Sequence, residues 1–171
     1  VQTNGDFTII NSGTATTQGV CGTYLNNGSL DFLVGGDFTI NNGAFYGIQD
    51  GTGLNTFVVN GSFNQTGGFF KGTHSPNIIT SGKSKFTLGA FNFTGGNFIQ
   101  YNASNDSVIC KVNGNFNVNY NTVSDFVSFI PYVHPVYSNT SPLSLTVTGS
   151  MTFGGANGTF YSSVSQGNES I

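Results

Sequence analysis

One phrase recurs six times along the 171 residues and constrains the fold more tightly than anything else in the chain. It consists of a short apolar run, a Gly corner, Phe-Thr/Asn-apolar, and then Gly with another aromatic. It reads NGDFTIINSG at 4–13, DFLVGGDFTINNGAF at 31–45 and TFVVNGSFNQTGGFF at 56–70. It returns as KFTLGAFNFTGGNF at 85–98, ICKVNGNFNV at 109–118 and LTVTGSMTFGG at 145–155. The corner glycines are Gly5, Gly36, Gly61, Gly114 and Gly149, with Gly89 in a fourth copy that is one residue shorter at the corner. Repetition at such a period marks a chain built from stacked supersecondary units.

Aligning the copies produces columns. Before the corner, one column holds Phe32, Phe57, Phe86, Cys110 and Leu145, and another holds Val34, Val59, Leu88, Val112 and Val147. After the corner come Phe7, Phe38, Phe63, Phe91, Phe116 and Met151, then Ile9, Ile40, Gln65, Phe93, Val118 and Phe153. Between those two runs Thr8, Thr39, Asn64, Asn92, Asn117 and Thr152. Alternation of period two predicts strands with one buried face. Like residues at like positions predict copies that stack and share one core.

The corner decides between two all-β architectures. Asn-Gly is a favoured two-residue hairpin turn. A two-residue loop at Asn60-Gly61, however, would set Val59 against Ser62 and Phe57 against Asn64, apolar against polar. A register error of that kind moves every side chain to the wrong face, and four copies would share it. A bend between two strands of one coil instead keeps Val59 and Phe63 both inward. The expectation is therefore a parallel β-solenoid, or β-helix, of about six coils in one domain spanning 1–171. An antiparallel β-sandwich with longer hairpin loops is the alternative. Six coils at ~4.8 Å per rung make a stack about 29 Å tall.

Composition fits stacked coils and excludes other classes. Gly, Asn, Thr and Ser supply 85 residues, while only 6% are charged, against about 25% in an ordinary domain. Identical charges in adjacent rungs would repel, whereas Asn, Thr and Ser can form ladders. Four Lys, no Arg and a net charge of −3 leave no basic patch for nucleic acid. Leu, Ile, Val and Phe total 48 residues, enough to bury a core rather than remain disordered. No segment approaches the ~18 apolar residues of a membrane-spanning helix.

The phrases GDFTINNGAF, GSFNQTGGFF and GNFNV resemble the G-N-F-T-x-x-x-G-x-F repeats of large secreted bacterial surface proteins of the adhesin-like, β-helical kind. The resemblance covers most of residues 1–160. It implies an extracellular or cell-surface location and a structural or adhesive role that is not enzymatic. Nine Asn-x-Ser/Thr sequons, against about five expected by chance, agree with secretion. They are candidate glycosylation sites: Asn27, Asn60, Asn64, Asn92, Asn102, Asn105, Asn139, Asn157 and Asn168. A chain opening on Val1 reads as mature or excised.

Few residues carry reactive chemistry. Asp6 and Asp37 occupy one corner column in consecutive copies. They form a candidate Ca²⁺ pair, since hard cations take carboxylate and carbonyl oxygens. The competing reading is two corner caps bonded to backbone. His74 and His134 lie in separate loops without metal-ligand spacing. Cys110 sits in an inward column, and Cys21 is about three rungs away, too far to bridge. The outward Thr/Asn column offers a flat ladder to a glycan or to ice.

Residues 119–142 are the longest departure from the repeat and read as an aromatic loop interrupted by Pro131, Pro135 and Pro142. Its apolar side chains are candidates for a subunit contact: Phe126, Phe129, Ile130, Tyr132, Val136 and Tyr137. A solenoid presents unpaired strand edges at its ends. The expectation is a cofactor-free structural subunit that meets itself head to tail in a surface fibre or filament. An adhesin segment that binds glycan or a host surface is the alternative, with a carbohydrate-active enzyme behind it.

Overall fold

The computed structural model describes residues 1–10, 19–24, 29–49, 54–74, 84–102, 108–129, 143–161 and 169–170. These form a parallel β-solenoid. The first rung is β1 (Gln2–Thr3), β2 (Phe7–Ile9) and β3 (Gly19–Tyr24). The second is β4 (Leu30–Val34), β5 (Phe38–Ile40) and β6 (Ala44–Gln49), and the third is β7 (Asn55–Gln65) and β8 (Phe69–His74). The fourth is β9 (Ser84–Phe93) and β10 (Asn97–Asn102). The fifth is β11 (Val108–Val112), β12 (Phe116–Tyr120) and β13 (Phe126–Ser128). The sixth is β14 (Leu143–Val147), β15 (Met151–Gly155) and β16 (Thr159–Tyr161), after which β17 (Glu169–Ser170) returns onto β14.

Every strand pairing among the described residues is parallel, so the antiparallel sandwich is excluded. Two sheets result. One carries both halves of each repeat phrase across the Gly corner, and the other is six-stranded in the order β16-β13-β10-β8-β6-β3. The register matches the sequence columns residue for residue. Phe32, Phe57, Phe86, Cys110 and Leu145 are successive partners, and so are Phe7, Phe38, Phe63, Phe91, Phe116 and Met151. The shortened corner of the fourth copy is a bulge, with Asn60 and Gly61 opposite the single Gly89.

Stacking in register gives the core its order. Within a column the Phe rings lie nearly parallel: Phe38–Phe63 at 5.3 Å and 13°, Phe63–Phe91 at 5.3 Å and 4°. Those separations are close to the ~4.8 Å spacing of paired strands. Across the core the second sheet supplies its own column, Phe45, Phe70 and Phe98, whose rings also stack on one another. Rings from opposite sheets meet edge to face, as Phe57 does with Phe70 at 5.2 Å and 74°. Aromatic pairs in such geometries contribute about 0.5–1.5 kcal/mol beyond the area they bury.

Gly plays two different parts at the two corners. At the first corner the need is space: a Cβ on Gly61 would collide with the Asp37 carboxylate and lie 2.8 Å from the Gly36 carbonyl oxygen one rung away. At the second corner the need is backbone conformation, since Gly43, Gly68 and Gly96 have φ of 94°, 71° and 90°. Residues with a Cβ avoid that region.

The region read as a loop at 119–142 is partly regular. Asn119 and Tyr120 complete β12, and Phe126–Ser128 pair with Asn97–Ile99 as β13 of the second sheet. Phe129 lies in the core against Phe91, Phe98 and Phe116, fully buried, so it is not a subunit contact. Phe126 is half-buried on β13. Ile130, Tyr132, Val136 and Tyr137 lie outside the described residues.

Candidate functional site

The rung at the C-terminal end stands apart. β15 carries the same alternation as the strands beneath it, and Met151 and Phe153 occupy the columns filled lower down by Phe116 and Val118. Phe38 and Phe63, in the same column as Met151, are 0% exposed, yet Met151 is 38% and Phe153 48% exposed. Every residue of β15 is exposed. β12 pairs with one side of β15, and no described strand pairs with the other. Phe153 still contacts Phe160 edge to face at 5.0 Å and Phe116 at 5.9 Å, so these rings finish the core without being covered. At the opposite end, among the described strands β2 pairs with β5 alone, and Phe7, half-buried, stacks on Phe38 at 5.4 Å. Among the described residues β2 and β15 are therefore each paired on one side, with apolar side chains beside the other edge, the arrangement that templates strand addition.

Asp6 and Asp37 are adjacent members of one column, and both are engaged with backbone. Asp6 Oδ1 accepts the Asp37 N–H at 2.8 Å, and Asp37 Oδ1 accepts the Ser62 N–H at 2.7 Å. Asn115 repeats the device, its Oδ1 accepting the Ser150 N–H at 3.1 Å. The side chain after the Gly corner thus ties its rung to the next one, which is a different use from the local turn cap. Among the described residues no group of three or more His, Cys, Asp or Glu side chains comes together.

Asp125 is a buried carboxylate whose role the linear pattern conceals. It takes the place of the second-corner Gly, opposite Gly96. Its Oδ1 accepts the Gly96 N–H at 2.9 Å, while Oδ2 accepts those of Asn121 and Thr122 at 2.9 and 2.8 Å. Nearby, burial and secondarily the Asp125 charge push the Tyr120 phenol up to about 12. Three amides hold polar seams inside the core. Gln65 Nε2 donates to the Asn97 carbonyl at 3.1 Å, Gln100 Nε2 to the Ile109 carbonyl at 2.9 Å, and Asn55 Nδ2 to the Gly72 carbonyl at 2.6 Å. These bonds satisfy the amide nitrogens, whereas Oε1 of Gln65 and of Gln100 is buried with no hydrogen-bond partner among the described residues.

The outward Thr/Asn column is a ladder at its centre. Asn117 Nδ2 donates to Asn92 Oδ1 at 3.0 Å, and Asn92 Nδ2 donates to Asn64 Oδ1 at 2.9 Å. Two sequon residues, Asn64 and Asn92, are therefore bound into the stack. Asn60 and Asn157 are exposed. Asn102 closes β10, and Asn27, Asn105, Asn139 and Asn168 fall outside the described residues. Cys110 is a free, buried thiol whose pKa is raised by desolvation, and Cys21 lies on β3 of the other sheet. His74 ends β8, while His134 lies outside the described residues.

No helix among the described residues is long and apolar enough to cross a membrane. The chain matches no protein-family model, no curated protein and no solved structure.

Proposed function

We propose that the protein is an extracellular structural element, a β-solenoid unit of a surface fibre or filament that grows through its ends. The observation that carries this reading is the exposure of Met151 and Phe153 in columns that are buried through rungs two to five. Covering that edge with another rung would bury apolar surface and pair the β15 backbone groups that no described strand pairs. A contact between unlike ends does not close on itself, so it propagates. The surface location rests on the repeat phrase and the sequon excess.

A structural role also accounts for how the polar groups are used. Asp6, Asp37, Asn64, Asn92 and Asn117 all bond from rung to rung. Sedimentation velocity across a concentration series, with electron micrographs of the same samples, tests the proposal. Expected are concentration-dependent rods one solenoid wide. A chain that stays strictly monomeric at high concentration would overturn it.

A further inference from the structure

We propose that the partner at the C-terminal end is a second copy of this chain, stacked in the register its own rungs use. Met151, Thr152 and Phe153 of one copy then face Phe7, Thr8 and Ile9 of the next. This specifies the partner of the end described above and rests on the filament reading.

Three observations fix the register. The first is column identity. Phe7, Phe38, Phe63, Phe91, Phe116 and Met151 form one unbroken series, as do Ile9, Ile40, Gln65, Phe93, Val118 and Phe153. Setting β2 on β15 joins the two ends of each series. Phe7 meets Met151 through the ring face that does not stack on Phe38, and Thr8 lies over Thr152 as it does over Thr39.

The second observation concerns the two terminal segments, which take different positions in the ladder. β17 pairs with Leu143 and Ser144 at the start of β14. β1 pairs with Leu33 and Val34, in the columns that end at Thr146 and Val147. A second copy would lay Gln2 over Thr146 and Thr3 over Val147 beside Glu169 and Ser170 over Leu143 and Ser144; the single position between them, over Leu145, falls to Val1, so this register requires Ile171 to leave the ladder.

Third, the other sheet follows in the same alignment. Gly19 and Val20 of β3 stand in the columns that end at Thr159 and Phe160 of β16. A shift by one residue would put Thr8 against an apolar column in the first sheet and break this second alignment too. Continuity with six rungs of one ladder favours a second copy over an unrelated partner.

The test is disulfide trapping in a Cys21→Ser background, with Cys110 left as a buried thiol. Thr8→Cys and Thr152→Cys are combined in one chain. Both positions are exposed, and within a chain they are five rungs apart, about 24 Å at the strand spacing. A disulfide spans only ~4.4–6.8 Å between Cα atoms, so any bond must link two copies. The control combines Ile10→Cys with Thr152→Cys, two residues out of register.

The expected result is a series of covalent multimers at least 10-fold more abundant in the first variant than in the control. If filaments form but the control links equally well or better, the register falls while the filament reading stands. If the unsubstituted chain does not assemble, both fall. Should the Cys variants fail to assemble where the parent chain does, solid-state NMR of filaments mixed from two isotope labels decides. Phe7–Met151 contacts between copies support the register, and their absence overturns it.

Discussion

The third and sixth rungs share a pattern and differ in what lies on either side of them. β7 alternates buried and half-buried residues before its corner, with Phe57, Val59 and Phe63 sealed between rungs two and four. β15 has the same apolar spacing, yet all five of its residues are exposed. Burial in this protein thus belongs to the stack rather than to the strand. A strand of alternating residues presents a half-finished core, and the neighbouring copies complete it. The same contrast explains the low charge, because the outward columns must also tolerate a copy of themselves one strand spacing away. Asn64, Asn92 and Asn117 do so by bonding to one another.

That contrast can be broken most forcefully at its centre. Phe63→Ala removes a ring stacked between Phe38 and Phe91 and should destabilise the chain by about 3–5 kcal/mol in urea denaturation. A loss below about 1 kcal/mol would mean that the rungs do not share a packed core. Gly68→Ala comes next. It places a Cβ against the Gly43 backbone at a φ of 71°, and a cost of about 2 kcal/mol is expected. At the first corner the same collision with the rung below occurs at Gly61, but without the positive φ.

The boundary between covered and uncovered rungs is Tyr120, paired with Gly155 of β15. Its phenol is nearly buried, its hydroxyl has no hydrogen-bond partner among the described residues, and its pKa is raised from the ordinary 10.0 to about 12. The folded state therefore holds this proton more tightly than the unfolded chain does. That contribution is fully present below pH 10 and is lost as the pH climbs to about 12. Urea midpoints measured from pH 8 to 12 should fall more steeply for the parent chain than for Tyr120→Phe. Identical slopes would contradict the buried phenol.

The smallest effect is expected at the open end. Phe153→Ala should cost about 1 kcal/mol or less in the isolated chain, because half the ring is already in water. The same variant should raise the concentration needed for assembly at least tenfold, read by light scattering. A loss as large as that of Phe63→Ala would show that the end rung is covered in solution.

The first sheet was almost wholly legible in the linear pattern, because its columns recur at every copy and a dropped corner residue announces its own bulge. The second sheet was not. Its strands follow short apolar pairs such as Phe45, Phe70 and Phe98 after a Gly, and in the fifth copy Asp125 replaces that Gly and three prolines follow soon after. Phe126–Ser128 is three residues long, too short to signal a strand alone; its place is fixed by pairing with β10. Aligning GAF, GGFF, GGNF and NGTF would have exposed the column. The exposed sixth rung was legible only as an expectation of open ends, since which rung is uncovered depends on three-dimensional stacking. Asp125 and the amides of Gln65 and Gln100 were hidden for a related reason: each has at least one partner in another rung, Gly96, Asn97 and Ile109 in turn.

Residue-resolved hydrogen exchange on dilute and on concentrated protein tests the central claim, that neighbouring rungs and not strand sequence confer burial. In dilute protein β7 and β9 should exchange slowly and β15 several orders of magnitude faster, and β15 should slow towards them as the protein assembles. Equal protection of β15 and β7 at every concentration, or assembly that leaves β15 unprotected, would contradict the account.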